Sequence, residues 1–515
     1  MESFLGEVAA DLYARYGEEL SQRAVLFPSR RARLFFTDAL ARIARRPMWQ
    51  PSWTTIDELM SEISGLRTGD RLRLITELYG IYSEYHAEPF DKFYFWGDML
   101  LADFDTIDKY RIDAAMLFRN IEEIREIEAD ISYLTPAQLR IVAFWSSLGA
   151  EADLSEEKRR FLAIWRTLGP VYRRFRERLS ELGIAYGGMV QRAAADRLRS
   201  GEFAFATPRR FVVAGFNALS ECEKELFRFL SSAAETDFYW DYDSYYKDDP
   251  EQEAGMFVRE NVVRFPPRAE LSHDGMSRPK ELTSVAAVSN AVQCKYVATI
   301  LRGLAAGGRL GKETAVVLTD ENLLLPLLCA MPPEVGPVNV TMGYPLRASL
   351  AYTFVERLVE LQARRRTKGA DCTFYHADVT GLLAHPYVAG CDAELTRRLQ
   401  EEIMRERRIS VEASWLGRND LLRLVFSPAA GWRALSAWLS EVVAAVVRIP
   451  CPDDDARRRT EFLAVIAGEI ARLGNSLDEC GIEPAPEVYA SLLRRHLQTL
   501  RIPYEGEPLE GVQVM

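Results

Sequence analysis

The 515 residues are too many for one small module, and at roughly 150 residues per domain they set a soft expectation of three to four. At 48% hydrophobic and 27% charged the chain sits near globular averages, which excludes a disordered or fibrous protein. Lys plus Arg number 64 against 75 Asp plus Glu, a net charge of −11, so any grip on nucleic acid has to come from local basic patches rather than a global field.

The opening MESFLGEVAADLYARYGEEL carries acids where a secretory signal has a basic region, and residues 2–20 predict an amphipathic helix instead. An apolar run, Ala24–Phe27, stops at Pro28 and Ser29 and opens a helix over about Arg30–Ile43, a strand, turn, helix unit. Trp53–Ile56 reads as another short strand, with Asp57 a candidate cap for the next helix. From about Arg71 to Leu198 the pattern turns to long helices, as in Glu157–Leu182, where apolar residues recur at spacings of three and four among Arg and Glu. The alternation of strand and helix resumes at FVVAGF, Phe211–Phe216. A helix follows whose Ser220 and Glu223 stand in capping-box register, and then the strand Asp237–Asp243.

A break rich in Pro and charge, Arg264–Pro279, precedes a second set of units: a strand Leu282–Val288, a helix Ala291–Leu304, and strands Thr314–Thr319 and Pro337–Met342. Phe374–Leu500 reads as helical again, and strand-like sequence returns only in RIPYEGEPLEGVQVM. Val512–Met515 opens an apolar strand with no turn or polar tail after it, so the polypeptide is expected to continue further. No period of 20 to 50 residues repeats, which argues against a solenoid. The longest aliphatic stretch, Val442–Val447, is far short of the ~18 residues of a membrane helix. Seven cysteines with no CxxC pair read as reduced core thiols. The expectation is a soluble, cytoplasmic protein that does not contact a membrane.

A nucleotide site needs a glycine loop leaving a strand, with a Lys to reach the outer phosphates. The only string of that kind, Gly307-Gly308-Arg309-Leu310-Gly311-Lys312-Glu313-Thr314, has Ala306 where the first glycine belongs, Glu313 after the lysine, and leads into a strand. The magnesium-holding acids of a Walker B strand are missing too, because the run from Phe211 ends Gly215-Phe216-Asn217. Glu221 and Glu223 stand a turn further on, where helix N-terminal acids belong. A PD-(D/E)XK nuclease centre finds Pro452-Asp453 but no lysine anywhere after Lys368, so it cannot be completed in this segment. His86, His273, His376, His385 and His496 share no ligand spacing, and Ser29 and Ser220 lack a GxSxG context.

Basic patches remain. Arg30, Arg31 and Arg33 follow a strand-to-helix turn where a phosphate meets a helix N-terminus, while Arg364, Arg365, Arg366 and Lys368 read as the close of a helix, where the dipole alone favours cations. Aromatics interleave in Phe238-Tyr239-Trp240-Asp241-Tyr242 and Tyr245-Tyr246, with strand-core packing weighed above base stacking.

Several strings together resemble one family: VLFPSRRARLFF (Val25–Phe36), LLADFDTID (Leu100–Asp108), FVVAGFNALSECEKELFRFL (Phe211–Leu230), FYWDYDSYY with QEAGMF downstream, VNVTMGYPL (Val338–Leu346) and GEPLEGVQVM (Gly506–Met515). In this order they resemble the amino-terminal part of Bacteroidetes PD-(D/E)XK nuclease family proteins, themselves similar to the B subunit of the AddAB helicase-nuclease. The resemblance implies an α/β fold of two RecA-like, P-loop NTPase-like lobes with large helical insertions, UvrD/Rep-like in layout. The first lobe would take residues 1–68 and 203–275 with an insertion at 69–202, and the second 276–370 and 500–515 with an insertion at 371–499.

It implies further a catalytically inactivated superfamily 1 helicase joined to a carboxy-terminal RecB-type exonuclease of double-strand break processing and recombination. VLFPSRRA would stand at the DNA-contacting motif Ia, AGFNALSECEKE at the degenerate Walker B region (Gly215, Phe216, Asn217), and GEPLEGVQVM at the start of motif V. The DNA contacts expected on this basis are Ser29, Arg30 and Arg31 in the first lobe and Thr341 and Tyr344 in the second. The ATP site is expected to be lost, no cofactor or metal is expected in this segment, and Mg is expected only in the nuclease domain. Partners would be single-stranded or end DNA and a helicase-nuclease partner subunit. Two alternatives stay open: an active ATP-dependent DNA helicase, and a protein-interaction scaffold for a partner motor subunit.

Overall fold

A computed structural model describes residues 3–119, 156–205, 209–269, 271, 273–368, 371–449, 453–504 and 510–515. The middle of the expected helical stretch (residues 120–155), Pro452 of the Pro-Asp pair, and residues 506–509 of GEPLEGVQVM lie outside them. The protein is mixed α/β with a parallel sheet and many helices. It groups into two compact units, one of Met1–Gly69, Leu100–Asn339 and Gly506–Met515, the other of Asp70–Met99 and Val340–Glu505.

The first unit is organised by a four-stranded, wholly parallel sheet. Helix α1, Phe4–Tyr16, leads into β1, Arg23–Phe27. Helix α2, Arg30–Ile43, crosses over to β2, Ser52–Thr55, and helix α3, Ile56–Ser64, follows. Two short strands, β3 (Arg67–Thr68) and β4 (Ile184–Ala185), pair in parallel beside the helices. The sheet is completed by β5, Arg210–Ala214, and β6, Glu235–Tyr239, in the order β2-β1-β5-β6. Parallel neighbours require crossover connections, here helices, and strands covered on both faces read as continuous apolar runs. Val25–Phe27 and Phe211–Ala214 are such runs, all of them buried. One face packs α1 and α2, with Val8, Leu12, Phe36 and Leu40 set against Val25, Phe27, Val212, Ala214 and Tyr239.

The capping box expected at Ser220 forms: the Ser220 hydroxyl accepts the Glu223 N–H at 3.2 Å and the Glu223 carboxylate takes the Ser220 N–H at 2.7 Å. The cap before α3 is Thr55, not Asp57. Its hydroxyl accepts from Glu58 N at 3.3 Å and its own N–H donates to the Glu58 carboxylate at 3.0 Å. The S/T-x-x-E spacing at 55–58 outcompetes a lone Asp because it satisfies two orphan N–H groups at once. Thr55→Ala is expected to lower the stability of the first unit by about 1 kcal/mol, seen as a lower thermal midpoint, whereas Asp57→Ala should have less effect.

A second, smaller sheet of this unit has the order β7-β14-β8, from β7 (Ala315–Val316), β8 (Val338–Val340) and β14 (Val512–Val514). Gly511 enters β14 at φ 63°, and a Cβ there would sit 1.9 Å from the Pro337 carbonyl oxygen, so only glycine fits. The strand expected over Leu282–Val288 does not form: these residues are irregular, with Leu282 88% and Val288 94% exposed. An apolar run becomes a strand only where a neighbouring edge supplies hydrogen bonds, and none of the described strands pairs with it. The helix expected from Ala291 runs Asn290–Ala306.

The second unit is mainly helical. Helix α4 (Arg71–Tyr82) and the first half of α5 (Phe90–Lys109) belong to it, with the helices Leu350–Ala363, Trp432–Val447, Asp453–Glu479 and Pro486–Thr499. Strand β9 (Tyr344–Pro345) pairs antiparallel with β13 (Arg501–Ile502). The sequence reading missed a three-stranded antiparallel sheet of β10 (Arg366–Lys368), β11 (Asp371–Tyr375) and β12 (Ser410–Glu412). Arg366 and Lys368 therefore do not close a helix; that helix ends at Ala363 and the basic run enters β10. Arg364 is held by Asp378 at 2.9 Å.

Candidate nucleic-acid interface

In a parallel sheet the strands end on one edge, and the loops beyond that edge are the natural place for a ligand. Here that edge carries Pro28 and Ser29 after β1 and Gly215–Asn217 after β5. Gly215 takes φ 84°, and a Cβ on it would lie 3.7 Å from Pro28, so the two turns abut. Phe216 is buried against Phe227 with ring centroids 5.3 Å apart, and the Asn217 carbonyl accepts Asn261 Nδ2 at 2.6 Å. Phe216 serves packing, and the exposed Asn217 ties the turn through its backbone carbonyl.

Ser29 precedes α2 with extended backbone, φ −149° and ψ 154°, and its hydroxyl makes no capping bond. The first-turn N–H groups of α2 thus lack the usual side-chain oxygen of an N-cap, the arrangement that receives anions at a helix start. Arg30 is 76% exposed and meets Glu58 at 2.6 Å. An exposed pair of this kind contributes about 0–1 kcal/mol, so Glu58 holds Arg30 only weakly. Arg31 donates to Gln513 Oε1 at 2.9 Å, and that oxygen also takes Asn339 Nδ2 at 2.6 Å. Arg33 lies over the Trp53 ring, 4.0 Å from its centroid.

Ser29, Arg30 and Arg31 are therefore brought together at one turn. Thr341 and Tyr344 belong to the second unit. Thr341 is exposed. Tyr344 donates its hydroxyl to the Ala348 carbonyl at 3.0 Å, with its ring 5.2 Å from Phe462 and 6.3 Å from Tyr504, and burial raises the phenol's pKa. Of the aromatic string after β5, Phe238, Tyr239 and Trp240 are core, the Trp240 indole donating to the Phe265 carbonyl at 2.9 Å, while Tyr245 is 59% exposed.

The Gly307–Lys312 string turns out of the helix Asn290–Ala306 and precedes β7. Lys312 Nζ is held by Asp38 at 2.5 Å, and Lys312 draws the Asp38 carboxyl below its ordinary pKa. A lysine so engaged, on a loop that enters a strand, does not suit the outer phosphates of a nucleotide. Sequence reasoning passed over one further group, Arg45, Arg46 and Trp49 between α2 and β2. The signal that reveals it is an acid-free window from Ala39 to Ile56. No protein-family model matches the chain, and no curated protein matches it.

Proposed function

We propose that this chain is a catalytically inactivated, helicase-like module that holds single-stranded or end DNA for a repair and recombination exonuclease whose nuclease lies outside this segment. In this reading its sheets are the cores of two RecA-like lobes and its helical blocks are their insertions. The observation that carries it is the β1–α2 turn, where an uncapped helix start and two arginines stand at the carboxyl edge of a parallel sheet. Support comes also from the neighbouring turn of β5, which ends in Gly215-Phe216-Asn217 where a motor needs acids. Such a module binds strand through phosphates and cannot step along it. The stepping falls to a partner helicase-nuclease subunit.

Fluorescence anisotropy of a labelled single-stranded oligonucleotide, titrated at several salt concentrations, tests this. Binding should weaken as salt rises, and Arg30→Ala/Arg31→Ala should flatten the slope of log K against log salt by about 1.4, two phosphates at ~0.7 each. Binding that ignores salt, or no binding, would favour a protein scaffold, and ATP turnover stimulated by the oligonucleotide would favour an active helicase.

A further inference from the structure

At the opposite end of α2 from the Ser29 turn, about 21 Å away for 14 residues at ~1.5 Å each, the loop to β2 presents a second cationic surface. Arg45, Arg46 and Trp49 are exposed, Trp49 to 87%. Among the described residues neither Arg45 nor Arg46 has an ion pair, and the nearest basic side chain along the helix, Arg42, is tied to Asp38 at 3.1 Å. The window from Ala39 to Ile56 holds three arginines and no acid. In a chain of net charge −11 this is a local feature, and it cannot come from general basicity.

The ring is held outward by the loop's own packing. The Arg45 N–H donates to Tyr13 Oη at 3.0 Å, Met48 packs on the core between α1, α2 and the sheet, and Pro51 is buried. These anchors flank Trp49 on both sides. Trp53 is already covered by Arg33, so Trp49 is the indole that remains open.

A tryptophan left in water forgoes a large apolar burial, and its neighbours do not supply the contiguous apolar surface of a protein interface core. Pro47 and Gln50 are exposed beside it, with the exposed Arg45 and Arg46 just before them. One exposed ring with two unpaired guanidiniums matches the repeating chemistry of a single strand, a base face followed by a phosphate.

We propose that Arg45, Arg46 and Trp49 form a contact site for single-stranded nucleic acid, the indole stacking on a base and the guanidiniums meeting the flanking phosphates. The site shares its ligand class with the reading above but none of its residues. The full chain is titrated into a fluorescein-labelled oligothymidylate, followed by anisotropy, alongside Trp49→Ala, Trp49→Phe, Arg45→Ala/Arg46→Ala and Arg30→Ala/Arg31→Ala. Circular dichroism confirms that each is folded. Trp49→Ala should weaken binding about tenfold, Trp49→Phe should restore most of it, and Arg45→Ala/Arg46→Ala should lower the salt slope by about 1.4.

Affinity unchanged by Trp49→Ala overturns the proposal even if Arg30→Ala/Arg31→Ala weakens binding, in which case the first reading stands alone. Loss in Trp49→Ala with no effect of Arg30→Ala/Arg31→Ala upholds the site and removes the β1–α2 turn. A wild-type chain that binds no oligonucleotide overturns both, and one that instead binds vesicles of anionic lipid, with Trp49→Ala abolishing this, assigns the patch to a membrane surface and overturns the proposal.

Discussion

Replacing Asp108 with alanine is expected to destabilise the first unit by about 3–5 kcal/mol, the range for removing one partner of a buried ionic cluster. Asp108 is 0% exposed. Its carboxylate accepts the Tyr172 hydroxyl at 2.6 Å and the Tyr186 hydroxyl at 2.5 Å, and meets Arg192 at 3.1 Å and Arg176 at 3.5 Å. Its backbone carbonyl accepts the Cys222 thiol at 3.4 Å. Burial, with Asp108 beside it, pushes Tyr172 up to about 12 and Tyr186 well above its ordinary value, while burial takes Cys222 to about 12. All three therefore stay protonated at neutral pH and act as donors.

The alanine leaves two phenols without their carboxylate acceptor and takes the buried counter-charge from two guanidiniums that are 29% and 20% exposed. Chemical denaturation followed by far-ultraviolet circular dichroism measures the loss, and Tyr172→Phe, which removes one donor to Asp108 and the acceptor of an Arg176 N–H at 3.0 Å, should cost less, about 1–2 kcal/mol. A midpoint for Asp108→Ala within error of the wild type would show that the cluster is not the strut described. The strut matters to the candidate interface, because it fastens α5 and the helices Glu156–Glu181 and Gly187–Ser200 beside the helix that leaves the β5 turn. Gln191, on the same helix as Arg192, meets the capping Ser220 at 3.3 Å.

How much of this the sequence discloses depends on the range of the interaction. Strand β1, the Pro28-Ser29 turn and α2 were legible because apolar run, breaker and helical period lie within twenty residues, and the Ser220–Glu223 box because its register is local. Leu282–Val288 misled for the converse reason: seven residues show strand propensity but not whether an edge is there to receive them. Arg31 was readable as a candidate contact, while its partner Gln513 lies 482 positions away and nothing local announces it. The same holds for Asp108, joined to Tyr172, Tyr186 and Arg192 over 64, 78 and 84 positions. Arg45, Arg46 and Trp49 were missed for another reason. Runs of cations catch the eye, and a surface field depends equally on where acids are absent.

The second large effect concerns acid stability of the second unit and turns on His385. This imidazole caps the short helix Pro386–Ala389 by accepting the Tyr387 N–H on Nδ1 at 3.3 Å. It is buried, with Phe354 and Tyr387 rings 5.2 and 5.1 Å away. Burial, reinforced by the Arg357 charge, holds its pKa down at about 4 against an ordinary 6.5. Protonation would place a charge in an apolar site and occupy the lone pair that caps the helix. Between about pH 4 and 6.5 the unfolded chain thus carries a proton on this residue that the folded chain lacks.

Unfolding free energy therefore rises with pH across that window, by about 1.4 kcal/mol per unit, and the stability present above pH 6.5 is lost progressively as pH falls toward 4. Integrated over the window the loss is about 3 kcal/mol. Carboxylates titrating over the same range add their own slopes, so the informative quantity is a difference between two proteins. His385→Asn keeps a helix-capping acceptor and removes the titration. It is expected to be less stable than wild type at pH 7, through lost packing, and to close that gap as the pH falls to 4.5. Stability curves that stay parallel from pH 7 to 4.5 would show that His385 titrates alike in the folded and unfolded chains.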